Sequence, residues 1–206
     1  MPDHYYTPDP QSAHNPAHIY FTYRGHPLTF LTDSGVFSRS EVDKGTELLL
    51  NTLPETFSGT VLDMGCGYGA IGVSVGKAWP DCRVTMADVN ARAVGLADQN
   101  ARQNGVKAAV LESDGYAALP TEPSFDLILQ NPPIRAGKAV IYAMFADGAK
   151  RLAEVGAFWL VIRKQQGAAS AMTFLSTLFE AVQVVEKKGG YWVICCTKPK
   201  GNTDDV

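Results

Sequence analysis

Thr60-Val61-Leu62-Asp63-Met64-Gly65-Cys66-Gly67-Tyr68-Gly69-Ala70-Ile71 is the stretch that decides the fold. Its first five residues are short, apolar and β-branched, which reads as a buried strand. Three glycines follow at alternate positions. The chain then becomes helix-forming from Ala70 to Trp79, until Pro80-Asp81 stops it. A glycine turn that leads from a strand into a helix lets a ligand approach the backbone and presents the helix's unpaired N–H groups to it. The order is G-x-G-x-G, not the G-x-G-x-x-G that dinucleotides require. Asp63 also lies two residues before the first glycine, where its carboxylate would repel a pyrophosphate and attract an ammonium.

Outward from this turn the sequence alternates between strand and helix. Arg83 to Ala87 is a second strand. Asn90 caps a helix that runs to about Asn104, and Gly105 ends it. Ala108 to Leu111, Phe125 to Leu129 and Ala157 to Ile162 are further strands, with helices at Val140 to Leu152 and Ala169 to Phe179. Ala181 to Glu186 and Tyr191 to Cys196 flank Lys187-Lys188-Gly189-Gly190, and strands joined so briefly must be antiparallel. The expected fold class is α/β: a doubly wound, Rossmann-like sheet of seven strands. It is mostly parallel with a C-terminal antiparallel hairpin, in order 3-2-1-4-5-7-6 counted from the strand at Thr60. Upstream, His18 to Tyr23 and Pro27 to Thr32 predict a short N-terminal β-hairpin. Ser38 and Glu41 have capping-box spacing, which predicts a helix from there to about Thr52.

Acidic residues recur where the strands end. Asp88 closes the second strand, placed to accept both hydroxyl hydrogens of a ribose, with Val89 beside it for a flat base. Ser113-Asp114-Gly115 follows the third strand, and Asp114 can accept from an adenine amine. With Asp63 for an ammonium, these fit S-adenosylmethionine. The fourth strand runs into Gln130-Asn131-Pro132-Pro133-Ile134. Two prolines fix φ and remove two N–H donors. The Asn131 oxygen and nearby carbonyls are thereby left as a rigid set of acceptors suited to an –NH2 group. Such an amine has a delocalised lone pair. Two accepted hydrogen bonds favour a pyramidal nitrogen that can attack a methyl group. The site's contribution is positioning and preorganised charge, and the acidic product cation loses its proton without a prior general base.

These motifs, Asp63 to Gly69, Asp88, Asp114 and Asn131-Pro132-Pro133-Ile134, resemble the class I S-adenosylmethionine-dependent methyltransferases of the small-domain type. That group includes the guanine-N2 methyltransferases of bacterial ribosomal RNA. Ser34-Gly35-Val36-Phe37-Ser38 with Glu41-Val42-Asp43, and the run from Asn131 to Lys138, are also similar to it. The resemblance spans about residues 18 to 198. It implies a donor site of Asp63, Gly65, Cys66, Gly67, Asp88, Val89, Ser113, Asp114 and Asn131. It implies Asn131, Pro132, Pro133 and Ile134 as the catalytic turn. Relatives that act on adenine N6 or glutamine N5 carry an aromatic residue after the prolines. Ile134 stands there in this chain and favours guanine, leaving Phe37 and Tyr142 as candidates to stack on the target. Methylation of a protein glutamine is the alternative substrate. A non-catalytic RNA-binding or ribosome assembly factor is a second alternative, and the glycine spacing speaks against a nicotinamide oxidoreductase.

The 206 residues carry a formal charge of −3, which does not favour a dedicated nucleic-acid binder. Arg135, Lys138, Arg163 and Lys164 nevertheless cluster near the expected catalytic edge and can form a local basic rim for RNA. Cys66, Cys82, Cys195 and Cys196 have no metal-ligand or disulfide-framework spacing, and no metal is expected. All four histidines (His4, His14, His18, His26) fall in the first 26 residues and read as solvated polar groups. The start of the chain, with no apolar core and no basic opening, is not expected to act as a signal peptide, and no apolar run reaches membrane-span length. A reduced cytoplasmic protein is expected, with a flexible arm over residues 1–17, a methyltransferase domain over 18–198 and a tail over 199–206.

Overall fold

A computed structural model describes residues 12–122 and 124–201. Much of the expected arm (residues 1–11, with His4) and most of the expected tail (residues 202–206) lie outside them. The elements in chain order are β1 (Ala17–Tyr23), β2 (His26–Thr32), α1 (Lys44–Thr52), β3 (Thr60–Met64), α2 (Ala70–Ala78), β4 (Arg83–Asp88), α3 (Ala91–Gln103), β5 (Ala108–Glu112) and β6 (Phe125–Gln130). Then come α4 (Lys138–Arg151), β7 (Leu152–Arg163), α5 (Ala168–Leu178), β8 (Phe179–Lys188) and β9 (Tyr191–Pro199).

The seven-stranded sheet has order β5-β4-β3-β6-β7-β9-β8, as expected. β3 pairs in parallel with both β4 and β6, and β9 pairs antiparallel with β7 and β8. Strands covered on both faces need apolar residues at nearly every position. Here Val61, Leu127, Leu129 and Val161 face α1, α2 and the N-terminal hairpin, whereas Leu62, Ile128, Leu160 and Ile162 face α4 and α5. The sheet therefore holds its C-terminal edge, where the acidic residues and Asn131 lie, between two packed layers.

The N-terminal hairpin turns at Arg24-Gly25, both at positive φ (47° and 78°), and packs on α2 and α3. Its open edge is closed by side chains. Asn100 on α3 and Asn104 at its C-cap, one turn apart, exchange hydrogen bonds with the backbone N–H and C=O of Leu31 and Thr29. This satisfies an edge that would otherwise invite pairing with another chain. Arg24 donates to the carbonyls of Leu53 and Glu55 and stacks over Trp79, which ties the hairpin to the segment after α1. The described end of the arm is tied down as well. Arg92 donates to Ser12, and Asp33 accepts from His14 and from the Asn15 N–H.

The helix expected from Ser38 begins later, at Lys44. Ser38 sits at φ 53°, and its hydroxyl donates to the Glu41 carbonyl instead of accepting from the backbone. Asp43 takes the cap, its Oδ2 accepting from the Gly45 and Thr46 N–H groups at 2.8 and 3.1 Å. Aspartate is as good a cap as serine, and the later start leaves Phe37 and Ser38 free of the helix to wall the cavity described below. Among the described residues no helix is long and apolar enough to cross a membrane.

Candidate active site

A cavity of about 680 Å³ opens at the C-terminal edge of the sheet, within the range of small-molecule sites. One wall is the glycine turn. The Gly65 and Cys66 N–H groups are both held by the Ala87 carbonyl, at 2.8 and 3.0 Å, which pins the turn to β4. Gly65 and Gly67 have φ of 72° and 56°, and a Cβ on either would meet nothing within 4 Å. Any side chain there would be strained and would project into the open cradle a ligand needs.

Asp88 links this turn to the next wall. Its Oδ2 accepts from the Gly67 N–H and its Oδ1 from the Asn90 N–H, at 2.8 and 2.9 Å. Each oxygen keeps acceptor capacity for a diol in the cavity. Burial raises the Asp88 carboxyl above its usual range, and the N–H groups of Asn90, Gly67 and Val89 pull against that rise. Val89, Ser113 and Asp114 continue the wall. Ser113 fixes its own turn by donating to the Gly115 carbonyl and accepting from the Ala118 N–H.

Asp63 does not reach the wall. It is fully buried beneath the turn, with Oδ2 accepting from the Gly72 N–H at 2.8 Å and Oδ1 without a partner among the described residues. Burial pushes its carboxyl up to about 7, the Gly72 N–H opposes this, and the Asp88 charge adds to it. An orphaned carboxylate oxygen under an acidic, glycine-lined cradle is an arrangement that a cation completes. Burial likewise pushes the Cys66 thiol well up, with the Asp88 and Asp63 charges adding to the rise. Cys66 is thus a neutral wall residue and not a nucleophile.

Asn131, Pro132 and Pro133 form the wall beside the glycine turn, since Gln130 of β6 pairs with Met64 of β3. The Asn131 amide nitrogen donates to Asp43 Oδ2 at 3.1 Å and to Thr46 Oγ1 at 3.0 Å. A carboxylate can only accept, so the –NH2 half must face α1 and the oxygen is the half left for the cavity. The Pro133 carbonyl is engaged by the Ala136 N–H at 2.8 Å. Phe37 also lines the cavity and remains exposed.

The other expected residues sit off the wall. Ile134 packs against the α4–α5 layer, and the Tyr142 ring stacks on Phe174 at 4.1 Å with the Lys138 ammonium 5.1 Å from its centre. Tyr142 is therefore a helix-packing residue, and Phe37 alone of the two candidates faces the cavity. Arg135, Lys138, Arg163 and Lys164 are exposed, and Arg163 stacks on Tyr191 and donates to its hydroxyl at 2.9 Å. Among the described residues no His, Cys, Asp or Glu cluster is arranged to hold a metal.

Sequence reasoning missed one whole wall. Val140, Ala143, Met144, Asp147 and Arg151 line the cavity from α4. Their spacing follows one helical face, and Asp147 with Arg151 at i, i+4 on it was the available signal. There the buried Tyr116 hydroxyl and Arg151 Nε have no partner among the described residues. The site therefore offers a buried carboxyl below the glycine turn, spare acceptor capacity on Asp88, apolar lining from Val89 and Met144, and the side-chain oxygen of Asn131.

The methyltransferase small domain model matches residues 27–195. The uncharacterized protein YbxB of Bacillus subtilis (strain 168) is 44% identical over 200 residues, covering 96% of this chain and 100% of that protein. Ribosomal RNA small subunit methyltransferase C of Haemophilus influenzae is 41% identical over 115 residues, 56% of this chain and 34% of that one. Among solved structures, the T. thermophilus 16S rRNA N2 G1207 methyltransferase in complex with AdoMet and guanosine matches with a TM-score of 0.81 and 30% identity. That match covers 92% of this chain and 52% of that one. The chain thus spans the full length of YbxB but only a third to a half of the two ribosomal RNA enzymes.

Proposed function

The chain belongs to the methyltransferase small-domain family, and from that premise we propose that it methylates the exocyclic N2 of a guanine in RNA of the small ribosomal subunit. It is an S-adenosylmethionine-dependent methyltransferase. When bound, the donor supplies an electrophilic methyl group on a positively charged sulfur. The residues present fit it. Asp63 and the glycine turn suit its ammonium end, Asp88 its ribose hydroxyls, and Val89, Ser113 and Asp114 its adenine.

The observation that carries the reading is the orientation of Asn131. With its –NH2 half committed to Asp43 and Thr46, its oxygen is offered to the cavity, beside the glycine turn. An acceptor held there accepts from the target amine, aligns its lone pair with the methyl group and keeps it from rotating. The Pro132–Pro133 pair holds the backbone of this turn rigid. Water can take the proton released afterwards. The target base must leave its stack to enter, and Phe37 at the mouth offers it a stacking face. The resemblance in sequence and structure to enzymes named for ribosomal RNA supports RNA as the substrate.

A glutamine carboxamide would fit the same acceptors, so the test has two arms. Labelled methyl groups should enter RNA of small subunits purified from cells that lack the enzyme, and should not enter release factors. The opposite pattern would replace RNA with protein.

Two further results are expected. Lys138→Glu with Lys164→Glu should weaken RNA binding about tenfold at moderate salt and flatten its salt dependence by about one to two units of slope. Arg163 is left intact because it braces Tyr191. Unchanged affinity and slope would remove this rim. The second concerns pH. The Asp63 carboxyl, held up near 7, is ionised above that pH and neutral below it, and only the ionised form attracts the cationic donor across the low-dielectric turn. The ratio of wild-type donor affinity to that of Asp63→Asn should therefore fall as pH drops from 8 to 6, by up to about tenfold. Calorimetry that gave a constant ratio would mean the donor does not sense this charge.

A further inference from the structure

We infer that Asp43 is a positioning residue for the transfer step: it locks the amide of Asn131 so that only the oxygen can face the target amine. The inference rests on the amine-gripping role given above to Asn131.

An asparagine amide is close to symmetric in shape, and nothing in its own bonding decides which end faces a cavity. The wrong orientation would offer two N–H donors to an –NH2 group and repel it. Asp43 removes the ambiguity. Its Oδ2 sits where the start of α1 meets the Asn131 turn and accepts three N–H groups: Gly45 and Thr46 from the backbone, and Asn131 Nδ2 at 3.1 Å. The backbone pair fixes the oxygen in place, so the third bond is made to an immobile acceptor. Thr46 Oγ1 adds a second acceptor at 3.0 Å, and Thr46 is itself buried.

The other carboxylate oxygen is braced from β9, two strands away from β6 on the same face of the sheet. Tyr191, at the start of β9, donates to Asp43 Oδ1 at 3.4 Å. Its hydroxyl in turn accepts from Arg163 Nε at 2.9 Å. Arg163 is the register partner of Tyr191 in the β7–β9 pair, and its guanidinium lies 4.6 Å from the ring centre. Gly45 completes the arrangement. A Cβ there would fall 2.8 Å from both Asp43 Oδ2 and the Tyr191 ring, so glycine is what lets the ring lie against the first turn of α1. Asn131 and Asp43 are 88 residues apart in sequence.

The test separates the cap from the lock. Asp43→Ser keeps a good helix cap, but its side chain is too short to reach Asn131 as well. Asp43→Asn keeps an oxygen at the cap that can still accept from Asn131. In protein labelled with nitrogen-15 at asparagine, and with Asn131→Ala to identify the signal, the Asn131 side-chain N–H protons of the free protein should exchange slowly in the wild type. They should exchange at least tenfold faster in Asp43→Ser. The same variant should lose at least tenfold in kcat while S-adenosylhomocysteine affinity stays within twofold, and Asp43→Asn should recover at least a third of wild-type kcat. Should Asp43→Ser fail to fold, Thr46→Val serves, with an expected threefold rise in exchange and threefold loss of kcat. Unaltered exchange and kcat in the serine variant, or in the valine variant where only that folds, would overturn the inference. A wild type with slow Asn131 exchange but no methyl transfer to RNA or protein would instead remove the amine-gripping role and leave the lock standing.

Discussion

Asn131→Ala is expected to lower kcat for methyl transfer at least a hundredfold while S-adenosylhomocysteine affinity changes by no more than a few-fold. The substitution removes the acceptor proposed to act on the target amine and leaves the glycine turn, Asp88 and the α4 wall untouched. Preorganised hydrogen-bonding groups at a reacting centre are worth about a hundredfold to a thousandfold in rate when one is removed, and orienting the nucleophile adds to this. The fold should survive. Asn131 is only part-buried, and the two partners it abandons, Asp43 and Thr46, keep their other bonds in α1. A loss shared equally between donor affinity and rate would mean that the residue shapes the donor site and does not grip the amine.

Asp88→Ala is expected to have the largest effect on donor binding, raising Kd about a hundredfold or more. Hydrogen bonds to a charged group are worth roughly 1.5–3 kcal/mol each, and the carboxylate is placed to make two to a ribose diol. Two such bonds correspond to about two to four powers of ten in affinity. The same change strands the Gly67 and Asn90 N–H groups that Asp88 holds, so part of the loss comes from a loosened glycine turn. Asp88→Asn separates the two contributions. Its amide can serve one N–H group but offers a donor in place of the second acceptor, so calorimetry with S-adenosylhomocysteine should place it between wild type and alanine. Equal binding by all three proteins would mean the diol is held elsewhere.

The sheet was legible from the sequence because its strands are buried on both faces and therefore nearly all apolar, and because Gly65, Gly105 and Gly189-Gly190 punctuate it. The start of α1 was not. Ser38 and Glu41 have the spacing of a cap, but their geometry is set by the cavity wall beside them, and Asp43, five residues on, wins the helix. The glycine turn, Asp88, Asp114 and the Asn131 turn could be placed on the cavity wall because each lies at or just after a strand end, where a doubly wound sheet presents its ligand groups. Tyr142 was misleading for the converse reason. Its place on α4 is near the site, but its ring is spent on Phe174. The Asp43–Tyr191–Arg163 brace joins residues far apart in the chain and has no local signature, and the α4 wall left only the i, i+4 spacing of Asp147 and Arg151 as a signal. Asp63 is an intermediate case: its identity was readable, its burial beneath the turn was not.

The most direct test of the account is a nucleoside count. Ribosomal RNA from cells lacking this gene, digested and measured by mass spectrometry, should be short of one N2-methylguanosine per small subunit. Reintroduced wild-type chain should restore it and the Asn131→Ala chain should not. An undiminished N2-methylguanosine content in the deletion strain, or full restoration by Asn131→Ala, would contradict the assignment of that side-chain oxygen to the guanine amine.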